Sequence, residues 1–419
     1  MIFSPLARAI TLATASSILV AVPSIASAAF VEDSTATLGL RNLYMNQDTR
    51  NQNDKTKEEW SQAFILDYKS GFTEGTIGIG VDLYGAAAMK LDSGPNRTPD
   101  SFPQRSNGKS VDDFGKIGAT FKAKLSETVL ELGTLKPRLP MLQANLEGRI
   151  LPQLFTGGML TSNEINGLTA TLGHIDRVNQ RASTNRERMR MNSLGKGLDF
   201  KEGADKTSNS FDLASVNYKW NDSLATGYNF GRLEDLYKQH IVTAVHTLPL
   251  GEQRSLKTDL RISRSTDDGK TNVDNKAFSG MVTYNFGYNK LGLGYQKMTG
   301  DTGYAYIQGS DPFLVNYVAN REFGAKDEKS WQIRHDYNFA GLGIPGLTMF
   351  NRYVKGTGAD IGQGVEGREW ERDFDISYAF QTGALKNLHV RWRNSTVRSN
   401  INKDLDDNRL IIGYTLPLL

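Results

Sequence analysis

The chain of 419 residues has no cysteine, so neither a disulfide framework nor a thiolate metal site is available to it. Its 49 basic and 46 acidic side chains leave a formal charge of only +3, too small an excess to mark a nucleic-acid binder. No zinc-finger, phosphate-loop or dinucleotide-binding spacing supports that class either. Long apolar runs are missing too: past the N-terminus none reaches the roughly 18–20 residues that a membrane helix needs. A mean hydropathy of −0.43 excludes a helical membrane bundle. It does not exclude a membrane barrel, whose strands alternate polar and apolar residues and average out as if soluble. Proline is modest at 12, whereas glycine, at 41, and aromatic residues are plentiful.

Residues 1–28 read as a secretory signal. Arg8 supplies the positive region, Ala9–Val22 the apolar region and Ala26-Ser27-Ala28 the small-residue cleavage site. The apolar run is too short to anchor the chain as a helix. The remainder, 29–419, is expected to be one domain that is exported and enters a membrane, if at all, as strands. Few residues separate the signal from the first strand, which argues against a large plug domain ahead of the barrel.

The remainder repeats one theme of alternating segments joined by connections of very different length. Along Leu388–Thr396, Leu388, Val390 and Trp392 share one face, and His389, Arg391, Arg393 and Ser395 share the other. Phe114–Leu125 sets Ile117, Ala119 and Phe121 against Lys116, Thr120, Lys122 and Lys124. Similar alternation runs through Ala36–Met45, Trp60–Lys69, Ser255–Ser263, Trp331–Phe339 and Leu410–Leu418. Turns are expected at 69–72, 220–223, 249–252 and 287–290. Long polar stretches are expected at 89–111, 136–154, 179–207, 299–328 and 356–368. Short connections on one side and long ones on the other are the asymmetry of outer-membrane barrels.

Strand parity sharpens the count. A single-chain bacterial barrel has an even number of strands. An even number follows if Phe155–Ser162 is a strand and 163–167 a turn into Leu168–Val178. The reading is then an all-β, antiparallel transmembrane barrel of eighteen strands, at about 22 residues for each strand with its connection. Aromatic residues such as Tyr44, Phe64, Trp331, Phe339, Trp370, Phe380 and Tyr414 are expected in its interfacial girdles.

So wide a barrel holds water and needs narrowing if it is to select. Two long extracellular loops are expected to fold into the pore. The stretch 135–154 combines three prolines with a run of leucines and carries Lys136, Arg138 and Arg149. The stretch 299–328 carries Tyr304, Tyr306 and Asp311.

Several segments together resemble the OprD-type outer-membrane carboxylate channels of pseudomonads. They are 341–348, 387–394, Glu58-Glu59-Trp60, 162–165, Leu139-Pro140-Met141-Leu142-Gln143 and 328–332. The resemblance runs from the signal to the last strand. It implies a porin of the bacterial outer membrane that admits small carboxylate solutes, meets lipid and lipopolysaccharide, and is assembled by the barrel-assembly machinery. It implies no cofactor, no metal and no enzymatic activity. The family's basic ladder would map onto Arg391 and Arg393, with Arg41, Arg138 and Arg149 as further rungs; the constriction residues expected from the two loops remain Lys136, Tyr304, Tyr306 and Asp311. Two features depart from the pattern: the chain ends in Leu418-Leu419 where many barrels end in phenylalanine, and His174 stands where an arginine rung is expected.

A carboxylate shedding water at a constriction needs compensation, and arginine offers a planar, permanently charged fork that matches it. Lumen positions two residues apart on one strand are roughly 6.6 Å apart, so an anion reaches the next arginine before leaving the last. Lys116, Lys122 and Lys124 either extend this track or lie at the rim; Asp373 and Asp375 either hold the arginines or meet a substrate ammonium. Two alternatives stand beside the selective channel. One is a non-selective general porin. The other is a barrel hydrolase or serine-type peptidase using one of the five histidines, none of which lies in a recognisable catalytic setting.

Overall fold

A computed structural model describes residues 27–50, 53–192, 197–362 and 364–419. The signal read over 1–28 lies outside these except for its last two positions, which begin a short helix, α1 (Ser27–Glu32). Eighteen strands then follow in one sheet. The first six are β1 (Thr35–Asp48), β2 (Lys57–Lys69), β3 (Gly78–Asp92), β4 (Asp113–Leu125), β5 (Thr128–Leu135) and β6 (Leu154–Ser162). The next six are β7 (Leu168–Asn179), β8 (Phe211–Lys219), β9 (Leu224–Leu233), β10 (Tyr237–Pro249), β11 (Arg254–Asp267) and β12 (Asp274–Phe286). The last six are β13 (Asn289–Thr299), β14 (Lys329–Asn338), β15 (Leu347–Asp360), β16 (Glu366–Ala379), β17 (His389–Ser399) and β18 (Leu405–Pro417).

Each strand pairs antiparallel with its sequence neighbours, and β18 returns to β1 with Leu416 opposite Leu38 and Arg409 opposite Met45. The sheet therefore closes, and no backbone edge is left to be satisfied in hydrocarbon. The strand β6 and the turn into β7, which the even count requires, are both present.

The four longest connections, 93–112, 136–153, 180–210 and 300–328, all leave from the same end of the barrel. Two expected boundaries shift. The stretch 356–368 is not a long loop, because β15 runs to Asp360 and β16 resumes at Glu366. The tight turn expected at 69–72 is instead the longer connection 70–77. In the first place local polarity was a poor guide: polar residues near a rim remain in the ladder as long as their backbone partners continue.

Burial is inverted relative to a soluble domain. Ile117 is 79% exposed, and Leu172, Leu293, Ile262 and Trp392 are also exposed on the outer surface. Glu371, Asn229, Ser265 and Gln296 are fully buried on the inner one. Period-two alternation thus sends apolar side chains to lipid and polar ones to the lumen. Aromatic pairs mark the two interfaces: Tyr284–Phe286, Tyr337–Phe339 and Tyr378–Phe380 near the short-turn end, Trp331–Tyr353–Trp370 nearer the loops. Phe64 is the exception, since it faces outward from the middle of β2.

An ammonium on the outer face should be costly. Ile117→Lys places one near the middle of β4 and should destabilise the lipid-embedded barrel by about 2–4 kcal/mol. Denaturant titration of refolding in phospholipid vesicles reads this as a lowered midpoint, and an unchanged midpoint would refute the assignment of that face to lipid.

Candidate functional site

The lumen is narrowed by three of the long connections. In 136–153, Ile150 and Leu151 are fully buried against Leu43, Ala63 and Phe114 of the inner wall. Met141 and Leu142 pack with Phe155, Ile175 and Phe211 on its other side. In 300–328, Leu314 packs on Ala277 and Met298, and Phe323 on Val354. The connection 180–210 also takes part, with Met189 and Met191 joining the cluster that holds Ile307. Apolar burial that the lipid-facing strands cannot supply is thus gathered inside the bore.

Hydrogen bonds lock these segments to one another. The Asp311 amide donates to Gln143 O at 2.9 Å, and the Gln308 amide donates to Arg190 O at 2.8 Å. Asn145 Nδ2 donates to Asp311 Oδ1 at 2.6 Å, and Gln153 Nε2 to Gln308 O at 3.2 Å. The 300–328 segment is also pinned to the wall, where the Asn320 amide donates to Glu371 Oε1 at 2.9 Å.

What the segments leave open is a cavity of about 840 Å³ with eight arginines in its lining. Six of them belong to the barrel wall: Arg334 (β14), Arg352 (β15), Arg391 and Arg393 (β17), Arg409 (β18) and Arg41 (β1). The register makes this a continuous surface. Arg334 lies opposite Arg352, Arg352 opposite Asp373, Asp375 opposite Arg393, and Arg393 opposite Arg409.

Acids hold most of the wall in place. Asp375 accepts from Arg391 Nε at 2.8 Å and from Arg393 Nε at 3.1 Å. Asp373 accepts from Arg352 Nη2 at 2.6 Å, Asp336 from Arg334 Nη2 at 2.6 Å, and Asp407 from Arg409 Nη2 at 2.5 Å. Arg41 instead donates to the backbone, reaching Glu147 O at 2.5 Å and tying the 136–153 segment to β1. Pairing at this density orients the guanidinium planes and keeps like charges from splaying apart.

The other side of the cavity is made by the folded-in segments, including Asn145, Gly148, Arg149, Arg181, Asp311 and Tyr317. Arg149 Nε donates to Pro99 O at 2.9 Å. Burial, then the positive charges of Arg181 and Arg409, lower the Arg149 guanidinium to about 9, which leaves it charged at neutral pH. Tyr317 donates its phenol proton to Asp311 at 2.7 Å. Burial and that carboxylate push its ionisation up, so it stays a neutral donor.

An aqueous barrel with a charged constriction has clear relatives. The profile of the outer membrane porin, OprD family, matches residues 28–418. The chain belongs to the OprD family. It is 37% identical to the porin-like protein GalP of Pseudomonas putida, over 93% of each chain. It is 32% identical to Porin D of Pseudomonas aeruginosa, over 93% of this chain and 92% of that one. Among solved structures, OpdQ of P. aeruginosa is 51% identical with a TM-score of 0.85, covering 93% of this chain and 100% of its own. OpdK of the same organism, crystallised with vanillate, is 33% identical with a TM-score of 0.84 over 93% and 100%. The protein is accordingly an outer-membrane channel and not an enzyme, and its long connections are extracellular.

Within this OprD-family pore the expected site residues divide. Arg391, Arg393, Arg41 and Arg149 line the one cavity, together with Asp311. Arg138 lines two smaller cavities, of about 410 and 280 Å³. The larger of these also holds Lys136, which pairs with Asp67 and lies over the Tyr84 ring at 4.3 Å. Tyr304 is buried in the cluster with Met298, away from the cavity lining, and Tyr306 donates to Glu322 at 3.0 Å. His174 is not a missing rung: it lies on the exposed outer face of β7, 2.7 Å from Asp212, because up to Ile175 the odd positions of that strand point inward. Of the lysines, Lys116 and Lys122 are buried, Lys122 against Asp82, while Lys124 is part-exposed beside Glu127.

Sequence reading passed over Arg334, Arg352, Arg409 and Arg181 as site residues. The first three could have been found by continuing the alternation of β14, β15 and β18. Arg181 belongs to a connection, where no period applies. Asp375 serves two arginines, so Asp375→Asn should raise the net positive charge of the constriction. Reversal potentials across a KCl gradient in planar bilayers should shift toward greater anion selectivity, and a shift toward cations would contradict this geometry.

Proposed function

We propose that the channel is selective for small solutes bearing a carboxylate, and that its arginine-rich constriction attracts and passes them by diffusion. The observation that carries this reading is the convergence of eight arginines on one cavity, six of them on the arc of strands from β14 round to β1, of which only β16 contributes none. A focused positive field raises the local concentration of anions. Arginines on successive lumen positions offer several weak contacts in place of one tight one, so an anion can enter and still leave. That a relative was crystallised with vanillate, a small carboxylate, agrees with this. Arg391, Arg393 and Arg41 are the rungs on the wall, Arg149 faces them, and Arg138 continues the track toward the next cavity.

The same reading assigns 1–28 to a removed export signal and 29–419 to the mature barrel. Lipid and lipopolysaccharide surround it, and the assembly machinery reads its last strand despite the leucine terminus. A non-selective porin is the competing reading. Uptake into vesicles separates the two, with vanillate compared against a neutral sugar of similar size. Vanillate should enter faster, and Arg391→Ala with Arg393→Ala should slow it by roughly tenfold, the cost of losing charged contacts, while leaving the sugar unaffected. Equal entry of both solutes in the unmodified channel would favour the general porin.

A further inference from the structure

We propose that the outer face of β12–β16 carries a binding site for the phosphates of lipid A, the phosphorylated glycolipid of the outer leaflet, built by Lys276, Lys297, Lys329, Lys355 and Arg372. The site lies outside the pore and does not depend on the carboxylate reading.

Alternation fixes the direction of these five side chains. Their chain neighbours, such as Asn275, Gln296, Ser330, Val354 and Glu371, are buried in the bore, so the cations point outward. Each stands in the loop-side half of its strand. The aromatic belt of Tyr295, Trp331, Tyr353 and Trp370 runs among them, which sets them at headgroup depth.

The register makes the five contiguous. Lys297 lies directly opposite Lys329. The other steps are diagonal: Lys276 faces Thr299, two residues beyond Lys297; Lys329 faces Thr357, two beyond Lys355; and Lys355 faces Trp370, two before Arg372. Diagonal neighbours are roughly 7–8 Å apart, within reach of long side chains.

No acid compensates the row. Lys276, Lys297, Lys329 and Lys355 make no side-chain hydrogen bond or ion pair among the described residues. Arg372 donates only to the neutral Asn394 and Thr396. The acids nearby are engaged elsewhere: Asp274, Asp360 and Glu366 pair with Arg264, Lys326 and Arg368, and Asp301 and Asp327 lie close to Lys326. Like charges directly opposite one another destabilise a sheet, so this row calls for an anion from outside the chain. The outward rim of β1–β4 is the reverse, with Asp48, Glu58, Asp92 and Asp113. Phosphates are therefore drawn to one side of the barrel and repelled from the other.

Lipid A brings two phosphate monoesters, roughly −3 to −4 in total if each carries about −1.5 to −2. Five cations match that load. A lysine stem lies along apolar surface while its ammonium reaches the headgroup, where it meets phosphate as a mobile point charge. The acyl chains then lie on the exposed apolar face formed by Phe278, Leu293 and Ile333 of the same strands.

The test uses the full-length channel refolded free of native lipid, with bisphosphorylated lipid A as the probe and native mass spectrometry as the readout. Lys297→Gln with Lys329→Gln should weaken retention about tenfold, as expected when charge-assisted contacts are lost. Lys297→Arg with Lys329→Arg should keep it within about threefold, since the charge remains. Dephosphorylated lipid A should bind the unmodified channel as poorly as the intact lipid binds the glutamine variant. Inorganic phosphate at the same concentration should not compete, and competition by it would overturn the assignment to lipid. Asp92→Asn with Asp113→Asn serves as the unaffected control. Single-channel conductance should be unchanged in every variant, because none of these side chains enters the bore; it also reports that the barrel has folded. Equal retention of the two forms of lipid A, or unchanged retention in the glutamine variant, would overturn the site. An oligomer lost in the glutamine variant with lipid retention unchanged would assign the face to a second copy of the chain and overturn it as well.

Discussion

The constraint on which everything else depends is that backbone amides and carbonyls find no partner in hydrocarbon. Every strand must be paired on both sides, so the sheet closes from β18 onto β1, and because that closing pair is antiparallel the strand number is even. Closure then fixes the rest of the chemistry. A strand buried between lipid and an aqueous bore has two different solvents, and alternate side chains must suit one or the other. Trp392 and Arg391 are adjacent in the chain and belong to opposite worlds for this reason.

The same closure creates a difficulty that the loops resolve. A barrel this wide cannot be filled by its own wall side chains. Ile150, Leu151, Leu142 and Phe323 bring an ordinary apolar core into the bore, and the polar locks between Asn145, Asp311, Gln153 and Gln308 hold the segments in register. The constriction is therefore a small globular unit folded inside a membrane protein. Its stability comes from apolar burial against the inner wall, while the wall itself is stabilised by backbone pairing and lipid.

Charge in that constriction is arranged rather than accumulated. Asp336, Asp373, Asp375 and Asp407 interleave with the wall arginines, which would otherwise repel one another. An uninterrupted row of free cations would also hold an anion too tightly to release it.

Much of this was legible in the residues alone. Period-two alternation marked the strands around Arg391 and Lys116, and the even count recovered β6, because both signals are local and repeat along the chain. Boundaries near the rim were less legible: the polar stretch 356–368 looked like loop but stays in the ladder, since backbone pairing tolerates any side chain there. The resemblance to a known family pointed to Arg391, Arg393, Arg41 and Arg149, which the structure brings to one cavity. It did not distinguish them from Arg138, which lines other cavities, or reach Arg181. The sequence by itself determined which face meets lipid where alternation is clean, as in Phe114–Leu125 and Leu388–Thr396, because there it is written every second residue; it failed at His174, which lies on the outer face. Only the tertiary structure decided which charges meet across the bore and which are already paired. Those contacts join residues far apart in the chain, such as Asn145 with Asp311 and Lys116 with Gln180, through irregular segments that carry no period to read.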